Sequence, residues 1–430
     1  MARTRLYPPS VDPGFPKLPP IPEGWSHATF ADILEVVERP TTLSPDTTYK
    51  LVTAKRSRVG IALRGDLLGR EILTKTQFET KAGDFLISRR QIIHGACGVV
   101  PDGLDGAIVS NEYSTLRPRP ALLLSFLRQY SHTPYFQRTC FHSSHGVDVE
   151  KMIFKIDEWL AREVNVPPLG EQRKIATILS SVDDAIEATA AVIDQLGVVK
   201  KAMMAELFSR GLPGRHTRFK QTEIGEVPEA WEVVPLGALA TVGNGSTPSK
   251  ARPDYWDGGT VPWLPTGKVK DRIIVQAESF VTEKALAECP IRLLPKGTLL
   301  VAMIGQGKTR GKVAYLEIEA TINQNFAYVR PSDRICSRFL FAYLDHTYET
   351  LRAGGRGSNQ DALNCGLLKQ YPTPVPPMEE QIRIADAMLG LEARQAAEAT
   401  MAGGLTEVKS ALMSVLLTGE VRVKPDEEAA

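Results

Sequence analysis

After Pro167-Pro168, positions 175, 179, 182, 186, 189, 193, 196, 200, 203 and 207 follow one another at alternating steps of four and three. Eight of the ten are apolar (Ile175, Leu179, Val182, Ile186, Ile193, Leu196, Met203, Leu207), with Thr189 and Lys200 as the exceptions. Proline is accepted at a helix start and rejected inside one, so this stretch predicts a long helix over about 170–208. A second Pro-Pro pair at 376–377 opens a similar pattern over about 379–417, carried by Ile384, Met388, Leu391, Leu405, Leu412 and Leu416. There the seam is interrupted by Gln395, Glu398 and Lys409, and Gly403-Gly404 invites a kink or break. A seam at this spacing wants a partner helix. Two such helices separated by a globular stretch pair antiparallel more naturally than each packs on its own globular part alone.

The stretches before the two helices have another texture. Gly83 to Ser88, Thr298 to Ile304 and Lys312 to Leu316 are short apolar runs bounded by Gly- and Pro-rich turns, which predict strands. The fold class expected is α+β: two mixed globular domains in tandem, joined by the two helices. The segments drawn from the sequence are a Pro-rich loose extended arm at 1–20, a first domain at 21–165, a helix at 166–212, a second domain at 213–375, a helix at 376–420 and an acidic tail at 421–430.

The two halves are copies. Pro167 to Ala176 (PPLGEQRKIA) returns as Pro376 to Ala385 (PPMEEQIRIA), and Lys200, Ala202, Met204 and Leu207 return at the same offset of 209 as Lys409, Ala411, Met413 and Leu416. Ile21-Pro22-Glu23-Gly24-Trp25 answers Val227-Pro228-Glu229-Ala230-Trp231, and Val109 to Pro118 (VSNEYSTLRP) answers Ile322 to Pro331 (INQNFAYVRP). The order is collinear throughout, the mark of a duplicated unit rather than a short-period solenoid.

Composition narrows the function. With 51 Lys and Arg against 50 Asp and Glu in 430 residues, there is no global field for a polyanion, so any such site is a local patch. The 43% hydrophobic content excludes disorder as the main state. Five cysteines without a C-x-x-C pair suit a reducing compartment, and no apolar run approaches a membrane span, which together read as cytoplasmic.

Several motifs carry candidate chemistry. Ala302 to Thr309 fits a permissive phosphate-loop pattern, which keeps a nucleotide hydrolase as an alternative; but Arg310 to Tyr315 reads as a turn and strand where a phosphate loop needs a helix. A hairpin whose tip turns Lys308, Arg310 and Lys312 toward phosphates is the better reading. Cys140-x-His142-x-x-His145 suggests zinc, yet no fourth ligand lies at a usual spacing, so no metal is assigned. That stretch and Arg356, Ser358, Asn359 and Gln360 in the second half read as polar loops suited to a phosphate or base edge. Lys55, Arg56 and Arg58 stand in a basic run from Lys50 to Arg70, and Arg89-Arg90 form another candidate pair. Arg117 to Arg138 holds four arginines among Phe126, Tyr130, Tyr135 and Phe136, balanced between a core helix and a nucleic-acid face. Catalytic triads, dinucleotide turns, amino-methylation tetrapeptides and nuclease clusters are absent, so the chain reads as non-catalytic.

The doubled Pro-Pro-x-x-Glu-Gln-x-x-Ile-Ala, each preceded by a domain opening with Pro-Glu-x-Trp and running through GDFLIS or GTLLVAMIGQGKTRGKVAYL, resembles the specificity subunit of type I DNA restriction-modification enzymes over about 21–420. Gly243-Asn244-Gly245-Ser246-Thr247-Pro248 looks like that family's domain opening, which adds Ser246, Thr247 and Lys250 to the DNA-contact candidates. The resemblance implies one recognition domain per half of a split double-stranded DNA site, with the helices as an antiparallel coiled-coil spacer. It also implies partners: two adenine-N6 methyltransferase subunits using S-adenosylmethionine, and ATP-driven endonuclease subunits needing magnesium. No cofactor is expected on this chain. A coiled-coil scaffold that binds no DNA is the remaining alternative.

Overall fold

The computed structural model describes residues 7–8, 11–305, 309–353 and 363–425. The chain forms two compact units, 1–189 with 401–430 and 190–400, so each unit holds a globular part together with pieces of both long helices.

In the first unit a four-stranded antiparallel sheet runs in the order Leu34–Val36, Tyr113–Pro118, Phe85–Ser88, Cys97–Val99. Phe85–Ser88 is buried along its whole length. Side chains alternate across a strand, and here both faces are covered. Phe85 and Ile87 join a cluster with Phe30, Phe126, Phe136 and Trp159. Leu86 faces the other way, onto Val100 and onto Val52 and Val109 of a five-stranded sheet that includes the hairpin of Thr48–Lys55 and Gly60–Leu68.

The second unit repeats this order. Ala240–Asn244, Phe326–Pro331, Leu299–Ala302 and Val313–Leu316 are neighbours in one antiparallel succession, to which Ile273–Ile274 adds a parallel edge. The alternation also repeats: Leu299 and Val301 pack with Trp231 and Phe339, while Leu300 and Ala302 pack with Leu264 and Phe326.

The long helices span Leu169–Arg210 and Met378–Leu416, 42 and 39 residues. In the first unit Ile175 and Leu179 pack with Leu416 and Leu417; in the second Ile384 and Met388 pack with Met204 and Leu207. In each unit the start of one helix therefore lies beside the end of the other, an antiparallel pairing. Every seam position of both helices is buried or half-buried. The two lysines that break the apolar seam make equivalent ion pairs, Lys200 with Glu392 (2.5 Å) and Lys409 with Asp183 (2.6 Å). Burial alone would raise the Glu392 carboxyl, but Arg272 and Lys200 hold it below the usual range.

Three expectations need correction. Gly403-Gly404 does not break the second helix, which runs unbroken to Leu416. The propensity cost of about 1 kcal/mol per glycine is outweighed by packing of the seam on either side. The N-terminal arm has no regular element but is not loose over 11–19: Val11 is buried, Asp12 O accepts from Arg138, and Pro19 O accepts from Asn165. The polar loop expected around Cys140 is mostly helix, Pro134–His142, started by Thr133 as N-cap and Pro134 in its first turn. Phe126, Tyr130 and Phe136 are core, so the aromatics of that stretch pack inside the unit.

The repeated Glu-Gln explains the repeated motif. Gln172 lies in the first turn of its helix; its Oε1 accepts from Leu123 N (2.7 Å) and its Nε2 donates to Ala121 O and Pro167 O (both 2.8 Å). Gln381 does the same with Cys336 N (2.7 Å), Arg334 O (3.3 Å) and Pro376 O (2.8 Å). Beside them, Trp25 Nε1 donates to Glu171 (3.0 Å) and Trp231 Nε1 to Glu380 (3.1 Å). The remaining lone pairs are taken by the chain leaving the other helix: Arg422 on Glu171 (2.7 and 2.8 Å), and Leu212 N (3.0 Å) with His216 (2.9 Å) on Glu380.

Gln172→Ala and Gln381→Ala each leave a buried backbone N–H and two carbonyls without a partner, and should each cost about 2–3 kcal/mol. Denaturant titrations should show Gln172→Ala lowering the transition of the first unit and Gln381→Ala that of the second. A second expectation concerns acid. Burial would raise the fully enclosed Asp84 carboxylate, yet Arg39 (2.7 Å), Lys81 N (2.7 Å) and Arg117 (2.8 Å) together hold it below the usual aspartate range. A depressed folded pKa contributes stability that is present above the unfolded value of about 3.9 and is lost as pH falls through the folded one. Circular dichroism during acid titration should show the first unit losing structure in that window, with a shallower pH dependence in Asp84→Asn.

Candidate nucleic-acid interface

In the second unit, one end of the main sheet gathers the loops. Asn244 ends one strand, Ala302 ends another, and Phe326 begins the strand between them, Asn244 pairing with Ala327 and Ala302 with Phe326. The helix start at Pro376 belongs to the opposite end, where Ser332 N bonds Leu239 O and Gln381 holds Cys336. Loop 244–247 lies flat against turn 322–325: Ser246 N donates to Ile322 O (2.9 Å), and Trp263 Nε1 donates to Ser246 O (3.2 Å). Gly245 permits this approach, since a Cβ there would collide with the carbonyls of Ile322 and Asn323. Thr247 reaches Gln324, and Lys250 is exposed beyond it.

The hairpin expected after Ala302 is present: Leu299–Ala302 and Val313–Leu316 are antiparallel partners, and Thr309 to Gly311 form a turn. With a strand where a phosphate loop requires a helix, the nucleotide-hydrolase alternative has no support. Lys312 is half-buried at the base of the turn, and Arg310 is half-buried with its guanidinium on Arg352 O (3.5 Å). Lys308, Arg356, Ser358, Asn359 and Gln360 lie outside the described residues.

In the first unit the basic candidates sit on the long hairpin and at the equivalent sheet end. Lys55 is exposed, whereas Arg56 bonds Gln91 (2.9 Å) and Glu150 (3.2 Å). Ser57 and Arg58 take left-handed φ values of 59° and 58° at the hairpin tip. Arg58 turns inward, and burial lowers its pKa. It borders a cleft of about 590 Å³ that also meets Arg128, His132, Asp183 and Lys409. Burial, aided by Lys409 and Arg58, pushes His132 down to about 4, so the imidazole is neutral at pH 7, while Lys409 in the same cleft is paired with the Asp183 carboxylate. Arg89 is half-buried behind the strand end, and Arg90 pairs with Glu112 (2.5 Å).

His142 and His145 do not converge with Cys140. Cys140 is in the core, His142 bonds Gly14 O (3.1 Å) and stacks on Phe15, and His145 pairs with Glu158 (2.6 Å). Among the described residues no group of three His, Cys, Asp or Glu side chains could hold a metal. No described helix is long and apolar enough to cross a membrane.

The structure thus brings Ser246, Thr247 and Lys250 to one surface and adds Asn244 and Gln324, which are not among the sequence-predicted contacts. The signal for Gln324 is the polar triplet Asn323-Gln324-Asn325 within the repeated segment, and that for Asn244 is its place between Gly243 and Gly245.

Comparison with known proteins agrees with this architecture. A candidate type I restriction enzyme MjaX specificity subunit of Methanocaldococcus jannaschii is 26% identical over 424 residues, covering 94% of this chain and 95% of that one. A chain solved in a study of assembly and conformational transition of the type I R-M system superposes with a TM-score of 0.61 at 18% identity, covering 94% of this chain and all of that one. The type I restriction-modification S subunit of M. genitalium gives a TM-score of 0.55 at 15% identity, covering 91% and 96%. The model of the type I restriction modification DNA specificity domain matches twice, at 22–197 and 228–400, the two copies found above as a sequence repeat and as a repeated strand order, and the chain belongs to that family.

Proposed function

We propose that this chain is the non-catalytic DNA-reading subunit of a cytoplasmic type I restriction-modification complex, each unit reading one half of a bipartite double-stranded site. The observation that carries this is the duplication in three dimensions: the same strand order and the same Trp–Glu and Gln clamps occur in both units. Two similar readers in one chain supply one reader for each half of a split site, without a homodimer. Cations at both candidate surfaces, Lys55 and Lys250 among them, serve as backbone contacts that position the protein, while base-edge contacts specify sequence.

Chemistry is assigned to partners. Two methyltransferase subunits would carry S-adenosylmethionine, and endonuclease subunits would use ATP and magnesium; this chain would bind none of these and would scaffold both.

If the readers are independent, exchanging residues 1–165 for another family member's first domain should change one half-site and leave the other intact. The modified motif, mapped by sequencing methylated DNA from a host carrying the complex, reads this directly, and a change in both halves would count against separate readers. The helices act as the ruler in this reading. Inserting four residues after Gln195 adds roughly 6 Å and, at about 3.4 Å per base pair, should lengthen the unread gap by about one to two base pairs with both half-site sequences unchanged. A folded variant that methylates at the old spacing would remove the helices from that role.

A further inference from the structure

Among the polar side chains at the loop end of the second unit, most are committed to the protein. Asn323 is buried, its Oδ1 accepting from Thr266 (2.9 Å) and Asn325 N (3.2 Å). Asn244 accepts from the Cys365 thiol (2.5 Å), and Arg310 turns toward Arg352 O. Gln324 differs. It stands exposed at the apex of the turn joining Thr321–Ile322 to Phe326–Pro331, and its described partner is the Thr247 hydroxyl, which donates to Oε1 (2.5 Å).

The apex is a rigid mount. Asn323 N bonds Leu264 O (3.1 Å), Phe326 N bonds Asn323 O (3.3 Å), and loop 244–247 lies flush beneath at Gly245. With Oε1 accepting from Thr247, the carboxamide keeps one acceptor lone pair and both N–H donors. The major-groove edge of adenine presents an N6 amino donor and an N7 acceptor, which a carboxamide meets with two parallel bonds. Holding the rotamer from one side fixes that fork before DNA arrives.

The first unit carries the same chemistry at the same place. In the repeat Asn111 answers Gln324; Tyr113 and Phe326, two residues further along each, pair with the strand ends Ser88 and Ala302. Asn111 is likewise exposed.

We propose that Gln324, held by Thr247, is a base-reading residue of the second unit and reads an adenine in its half-site. This rests on the DNA-reading function proposed above. The test is selection of bound sequences from a randomised duplex library by the full chain assembled with its methyltransferase subunits. Gln324→Ala should lose preference at one base pair of one half-site by roughly 10- to 100-fold, leaving the other positions and the other half-site unchanged. Gln324→Glu should move that position toward cytosine, whose N4 amino group a carboxylate accepts from. Thr247→Val should relax the same position by less. A motif unchanged in both Gln324 variants overturns the proposal while leaving the DNA-reading function in place. Weakening spread evenly over all positions, with a shallower salt dependence, makes Gln324 a phosphate contact and also overturns it. A wild-type complex that selects no two-part motif overturns both this proposal and the function beneath it.

Discussion

A carboxylate buried at a helix start is the constraint on which each unit depends. Glu171 and Glu380 lie in the first turns of the long helices, where orphan N–H groups and the helix dipole favour negative charge. Both are almost wholly enclosed, and a charge in that position needs its lone pairs filled. Burial would raise the Glu171 carboxyl, but Arg422 and Trp25 more than offset it and hold it below the usual range. Each glutamate therefore draws together three distant segments: the helix that bears it, the tryptophan at the opening of its globular part, and the chain leaving the opposite helix. The neighbouring glutamine ties the same helix start to the strap that follows the central strand.

Between these ends the helices are registered by charge as well as by apolar packing. Lys200–Glu392 and Asp183–Lys409 are the same pair made twice, since each lysine is the repeat of the other and so is each acid. A single polar position in an apolar seam costs stability and fixes alignment. In the second unit Arg272 extends the pair to Asp345 and lies over Phe341. In the first, Gln129 takes part instead, donating to Asp183. The two copies share the pair and differ in what surrounds it.

The helices, the repeat and the central strands were legible because each leaves a periodic or repeated trace: alternate steps of four and three, a collinear offset, short apolar runs between glycines. The Glu-Gln clamp was visible as a motif but not as a mechanism, since its partners Trp25, Leu123 and Arg422 are far away in sequence. Lys200 and Lys409 read as flaws in a seam because an ion pair needs both helices to be seen. The turn carrying Gln324 shows in the sequence only as part of the repeat, because exposure of a carboxamide depends on a glycine approach that no local pattern announces. The places of His142 and the N-terminal arm are hidden in the sequence for the same reason: each finds its partner only in the folded unit.

Because Glu171 is closed by Arg422, the first unit cannot be finished in the order in which it is made. Its globular part and the first half of its helix are complete by residue 189, but the strand of helix that covers Ile175 and Leu179 belongs to residues 401–417, synthesised only after the whole of 190–400. The second unit has no such delay, since all of its parts fall within one continuous stretch. During translation the first unit thus waits with an apolar helix face uncovered and a carboxylate unmatched, while the second, begun later, completes first. The nascent chain matures from its middle outward, and the period of greatest exposure to aggregation or chaperone capture falls on the half that left the ribosome earliest.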